Sequence, residues 1–172
     1  MAERNPWTVA EEPLSVDDFF TRLNPLICGV LRSPVHWLLS PGLMLLTFTG
    51  RKTGRRYAIP VGYQRDGERT LTVMISEAPK KQWWRNYREP GPVEVRLRGR
   101  DRRGTAQLVA PGSDELIHLA ATTLGRVPGL GRAWGIRYDR RRGLTPEQTE
   151  TLRRTIAAVR IELEEESDVT SE

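Results

Sequence analysis

Thiols, imidazoles and amines are all scarce in this chain, which has one cysteine, two histidines and three lysines among 172 residues. A lone Cys28 cannot close an internal disulfide. Together with His36 and His118 it falls short of a structural zinc set in both number and spacing, so the two usual staples of a small fold are excluded. Long apolar runs are missing as well. The longest, residues 34–48, is interrupted by His36, Ser40, Pro41 and Gly42 and is too short to cross a bilayer as a helix. The opening Met1-Ala2-Glu3-Arg4-Asn5-Pro6 lacks the basic-then-apolar order of a signal peptide, and with the single thiol this sets the expectation of a cytoplasmic protein. There is no internal repeat and no linker-like stretch, and a chain of this size buries a sufficient core as one domain.

What is abundant is arginine. Of 27 basic residues only Lys52, Lys80 and Lys81 are lysine, the other 24 are arginine, and against 22 acids the net charge is +5. That balance favours anionic partners, which leaves nucleic acid, an anionic membrane surface or a phosphorylated small molecule.

Periodicity divides the chain. Residues 1–13 form a loose arm, and 14–40 read as a helical leader that starts at Ser15-Val16-Asp17-Asp18 and is broken by Pro25 and Pro34. The leader's apolar stripe is expected to cover the barrel, and its basic neighbours also permit contact with a membrane surface. From Leu43 the period becomes two. Leu43–Thr49 is strand one, and 55–64 is strand two with Tyr57, Ile59, Val61 and Tyr63 on one face. Asp66-Gly67 then turns the chain into strand three at 69–75. A short helix over 81–88 precedes strand four at Val93–Leu97, and a turn over 99–102 leads to strand five at 104–109. Ser113-Asp114-Glu115 starts a helix to Leu124, whereas 125–143 carries no assignable pattern. Thr145-Pro146-Glu147-Gln148 starts a last helix expected to reach Ala158 before Val159, Ile161 and Leu163 make a sixth strand. The core is therefore placed at 43–110, helices and a closing strand at 111–163, and a fraying acidic tail at 164–172. Six strands without a βαβ rhythm predict a mainly β fold, an antiparallel barrel flanked by helices.

Two stretches carry candidate chemistry. Gly50-Arg51-Lys52-Thr53-Gly54-Arg55-Arg56 joins strands one and two, and its glycines let backbone N–H groups and cations converge on a small volume that suits a phosphate. It lacks the spacing of a Walker loop, and basic hairpin tips of this kind are commonly just solvated. After strand three come Ser76, Lys80, Lys81, Trp83, Trp84 and Asn86. Trp83 and Asn86 stand three apart and share a helix face, while one of the adjacent tryptophans has to serve the core.

The ordered run Leu45–Arg55, then Ile59-Pro60-Val61-Gly62-Tyr63, Asp66-Gly67 and Trp83-Trp84-Arg85-Asn86, resembles the deazaflavin-dependent nitroreductase family over roughly 43–109. The resemblance implies a split antiparallel β-barrel of the flavin/deazaflavin oxidoreductase type. It further implies hydride transfer from reduced coenzyme F-420 to an electron-poor small molecule, a quinone, nitroaromatic or enone. By matching position, Arg51, Lys52, Thr53 and Arg55 would lie near the cofactor phosphate or its glutamyl tail, and Ala58, Ile59, Pro60 and Val61 along the deazaflavin ring. Ser76, Trp83 and Asn86 would complete the phosphate side. Many relatives have Lys-Gly-Gly where this chain has Glu77-Ala78-Pro79, so the lysine's role passes to Lys80 or Lys81, and FMN stays open as the alternative cofactor. Related split barrels often complete a site across a homodimer.

Tyr63, Tyr87 and Tyr138 are candidate proton donors, Tyr138 foremost because it lies in the unassigned segment, although packing on the barrel is the better account of a tyrosine there. His36, His118 and Cys28 are assigned no chemistry. Two further readings compete: a cofactor or amphiphile carrier without rapid turnover, and a nucleic-acid-binding barrel using Arg96, Arg98, Arg100, Arg102 and Arg103. The last ranks lowest, because no aromatic residues interleave with those arginines, and no nucleic-acid partner is expected.

Overall fold

A computed structural model of the chain describes residues 42–165. The arm, the helical leader with Cys28 and His36, and the tail beyond Glu165 lie outside the described residues. Within them the chain forms seven strands: β1 (Leu43–Thr49), β2 (Arg56–Gly62), β3 (Gln64–Arg65), β4 (Thr70–Ile75), β5 (Gly91–Leu97), β6 (Arg100–Leu108) and β7 (Ala157–Leu163). Three α-helices, α1 (Asp114–Arg126), α2 (Leu130–Ala133) and α3 (Pro146–Thr155), fall between β6 and β7. The strands make one sheet in the order β2-β1-β5-β6-β7-β4-β3, and every pairing is antiparallel. The sheet curls until β2 approaches β4, as an antiparallel barrel requires.

Residues Met44, Leu46, Phe48, Val61, Val73, Val95 and Ile161 point into the curl and form the main core. The alternation of β2 is seen in space, with Ile59, Val61 and Tyr63 packed into this cluster. A second cluster lies on the outer face of β4 and β7, where Met74 and Ala158 meet Leu116, Ala120 and Leu124 of α1 and Leu152 of α3. Pro60 sits in an edge strand, where the missing N–H costs no ladder bond on the open side.

Four details depart from the periodicity. Strand two breaks at Tyr63, so that β2 pairs with β1 while the two residues of β3 pair with β4, which makes seven strands rather than six. The helix expected over 81–88 is a 3₁₀ segment, Trp83–Tyr87, shortened by the need to seat Trp84 and Tyr87 in the core. The β5–β6 turn consists of Arg98 and Gly99 alone, both at positive φ (50° and 81°) as a two-residue hairpin demands, so Arg100–Arg103 belong to a strand. Finally, α3 stops at Thr155 rather than Ala158. Residues 157–159 are almost wholly buried between β4 and β6, and the ladder overrides alanine's helical preference.

Helix starts follow the local rules. Ser113 accepts from the Leu116 N–H at 3.1 Å with Asp114 and Glu115 in the first turn. Thr145 and Gln148 form a reciprocal capping box, with bonds of 3.1 and 3.2 Å ahead of Pro146.

Candidate functional site

The basic loop is closed by its own backbone: the Gly50 N–H donates to the Arg55 carbonyl and the Gly54 N–H to the Gly50 carbonyl, each at 2.8 Å. Gly54 takes a φ of 64°, and a Cβ on Gly50 would stand 2.7 Å from Thr53 Oγ1 and 2.9 Å from the Tyr57 ring. Thr53 is occupied inside the loop, with its hydroxyl 3.2 Å from that of Tyr57 and accepting from the Arg55 N–H at 3.3 Å.

Thirty-five residues on, Asn86 meets this loop. Its Oδ1 accepts from the Arg51 N–H at 2.9 Å, and its Nδ2 donates to the Trp83 carbonyl at 2.7 Å. The Arg51 guanidinium reaches Glu89, donating to its carbonyl at 2.9 Å and its carboxylate at 3.2 Å. Lys52 and Arg55, by contrast, are exposed, and their side chains have no partner among the described residues.

Beneath lies an aromatic floor. Phe48 stacks on Tyr57 with centroids 5.5 Å apart and meets both Trp83 and Tyr87 at 6.2 Å. Trp83 is half-exposed, whereas Trp84 is buried and donates from Nε1 to the Ala78 carbonyl at 2.9 Å. The adjacent tryptophans thus divide between cleft and core as their spacing requires. Tyr87 is 2% exposed and its hydroxyl has no hydrogen-bond partner among the described residues. Burial pushes its pKa above the ordinary tyrosine value, partly opposed by the Arg51 charge.

At the end of β4, Lys81 donates to Ser76 Oγ at 3.2 Å, while Lys80 pairs with Glu77. Of the two lysines it is Lys81 that the fold brings to the serine. Along β2 the four ring-lining candidates split by alternation, Ile59 and Val61 facing the core cluster and Ala58 and Pro60 the other face. Tyr138 is not brought here: it packs against the second cluster, on the opposite face of the β4–β7 sheet. Tyr63 packs against the main cluster and His118 lies on α1.

A cleft of about 510 Å³ opens beside the loop where β1 and β5, paired only between Leu45–Thr47 and Glu94–Arg96, diverge. Its walls include Phe48, Arg51, Asn86, Tyr87 and Arg103, so two of the expected cofactor-binding residues, Arg51 and Asn86, and one candidate proton donor, Tyr87, line it. Glu89 and the Phe48–Tyr57 pair escaped the sequence reading. Alternation could have found the pair, since both residues flank the loop on the core face. Nothing local marks Glu89 as a partner of a residue 38 positions away.

A model of the family described as F420H(2)-dependent quinone reductase matches residues 33–138, more than half of the chain. The chain belongs to this family. Every expected site residue from Arg51 to Tyr138 falls inside the segment that the quinone reductase model matches, and α3 and β7 fall beyond it. Among solved structures, the chain is similar to an F420-H2 dependent reductase, FDR-A, at 19% identity over 70% of this chain and 94% of that one, with a TM-score of 0.45. It is also similar to HutZ, a heme storage protein from Vibrio cholerae (15% identity, 83% and 91% of the two chains, TM-score 0.43). A third is a pyridoxamine 5'-phosphate oxidase-like protein from Listeria innocua (18%, 83% and 94%, TM-score 0.42). No curated protein matches the chain.

Proposed function

We propose that this protein binds coenzyme F-420 between the basic loop and the Trp83–Asn86 segment and passes hydride from its reduced form to an electron-poor small molecule, a quinone, nitroaromatic or enone. One observation carries the reading. The hydrogen bond between the Arg51 N–H and Asn86 unites two motifs 35 residues apart over one aromatic floor, leaving Lys52 and Arg55 exposed at its rim. A molecule with an anionic arm and a flat ring fits that arrangement: the exposed loop cations for the phosphate, Trp83, Tyr57 and the exposed edge of β2 for the ring. Family membership supports the same cofactor.

When bound, F-420 supplies the hydride. The chain's own part is to hold the anionic arm with Lys52 and Arg55, to present Lys81 and Ser76 as donors, and to orient the ring against β2 with water kept from its inner face. Arg51 acts by tying the loop to Asn86 and Glu89, and the Thr53 hydroxyl acts by shaping the loop. A homodimer is part of this reading, since β2 leaves one edge without a strand partner among the described residues; sedimentation velocity tests it, and a monomer at all concentrations would remove it.

The direct test is a titration of the protein with F-420 and, in parallel, FMN, followed by tryptophan fluorescence, with Lys52→Ala and Arg55→Ala variants. F-420 binding weakened about three- to tenfold by each substitution is expected, the weight of a partly solvated charge-assisted contact. Oxidation of the reduced cofactor that depends on added quinone or nitroaromatic separates an enzyme from a carrier. A preference for FMN changes the cofactor, and binding of neither at high micromolar concentration overturns the reading.

A further inference from the structure

The loop's cations are not equivalent, and their partners show why. Arg51 is spent on the protein itself: its N–H goes to Asn86 Oδ1 at 2.9 Å and its guanidinium to the Glu89 carbonyl at 2.9 Å and carboxylate at 3.2 Å. Asn86 completes the connection by donating to the Trp83 carbonyl at 2.7 Å, so both ends of its amide are engaged within the chain. Lys52 and Arg55 share the loop, are exposed, and have no side-chain partner among the described residues.

Resting on the cofactor-binding reading above, we propose that the loop divides its labour. Arg51, Asn86 and Glu89 form a clamp that fixes the loop on the Trp83–Tyr87 segment, and of the three loop cations Arg51, Lys52 and Arg55 only Lys52 and Arg55 meet the cofactor's negative charge. Asn86 and Glu89 are then positioning residues, not ligands. The ion pair in the clamp is solvent-exposed and of small worth by itself. The clamp's effect comes from the bonds to backbone atoms, which set where the loop's N–H groups and its two free cations stand. Loosening the clamp lowers affinity by making the loop adopt its binding geometry at the moment of binding, without removing a charge that the ligand touches.

Salt separates the two roles, because screening weakens direct charge contacts and leaves positioning alone. Affinity for F-420 is measured over a series of ionic strengths for Lys52→Ala, Arg55→Ala, Arg51→Ala, Asn86→Ala and Glu89→Gln. Lys52→Ala and Arg55→Ala are expected to flatten the salt dependence, Arg51→Ala and Asn86→Ala to weaken binding with the dependence unchanged, and Glu89→Gln, which keeps the carbonyl that accepts from Arg51, to bind nearly as the parent does. In parallel, without any cofactor, amide hydrogen exchange over residues 50–55 is expected to quicken about five- to tenfold in Asn86→Ala, the share of one hydrogen bond, and to quicken less in Asn86→Asp, which keeps the acceptor for the Arg51 N–H and loses the donor to the Trp83 carbonyl. Circular dichroism identifies any variant that fails to fold; if Asn86→Ala does, Asn86→Asp and Arg51→Ala carry the comparison. If Arg51→Ala flattens the salt dependence as Lys52→Ala does, the division of labour is overturned; if exchange in Asn86→Ala is unchanged, the clamp is. Should the parent protein bind no F-420, the proposed function fails, while the exchange arm still decides the clamp.

Discussion

Tyr87 shows how far single residues can be pressed. Its ring belongs to the main core, yet its hydroxyl is buried without a partner among the described residues. An orphaned hydroxyl contributes nothing to offset its desolvation, so Tyr87→Phe is expected to leave stability at neutral pH unchanged or raise it by up to ~1 kcal/mol. The pH dependence follows from the raised pKa. An unfolded tyrosine ionises near ~10, and above that pH only the unfolded chain releases this proton readily. The contribution is thus complete below about pH 10 and is lost as pH rises further. Thermal unfolding followed across alkaline pH should fall less steeply in Tyr87→Phe than in the parent; a variant that loses more than ~1 kcal/mol at neutral pH would show that the hydroxyl has a partner after all. At this scale the sequence spoke clearly about Trp83 and Trp84, because adjacent residues cannot share a face. It spoke ambiguously about Asn86: spacing places the amide beside the loop, but spacing does not say that a backbone N–H has already taken its oxygen.

Among the elements, those governed by local chemistry were legible. β1 matches its expected limits, and α1 and α3 begin at the residues that cap them. The capping box of α3 supports a prediction of its own. Thr145→Ala removes the side-chain acceptor for the Gln148 N–H and should cost ~1 kcal/mol, read as a lowered denaturation midpoint with an unchanged denaturant slope. Where elements were misread, a distant contact had decided. The 3₁₀ form of Trp83–Tyr87 answers to the core and to the loop it meets, and the early start of β7 answers to two neighbouring strands. Tyr138, attractive while its segment had no assignable structure, packs against the helices on the far side of the sheet.

For the molecule as a whole, β7 is the hinge of the packing, since Val159 and Ile161 face the main core while Ala158 faces the helices. Ile161→Ala should therefore weaken both clusters in one cooperative transition and cost ~2–5 kcal/mol, a large share of the ~5–15 kcal/mol typical of a domain. Separate melting of the helical cluster, seen by different spectroscopic probes, would refute that coupling. Alone, the sequence determined the β character, the antiparallel turns, the helix caps, the family resemblance and the two motifs, because periodicity, capping and turn chemistry act over a few residues. The tertiary structure alone decided the strand order, the break that made a seventh strand, and the commitment of Arg51 and Asn86 to each other. Those outcomes depend on which surfaces meet after the sheet has curled, and contacts between residues 35 or more positions apart leave no local pattern to read.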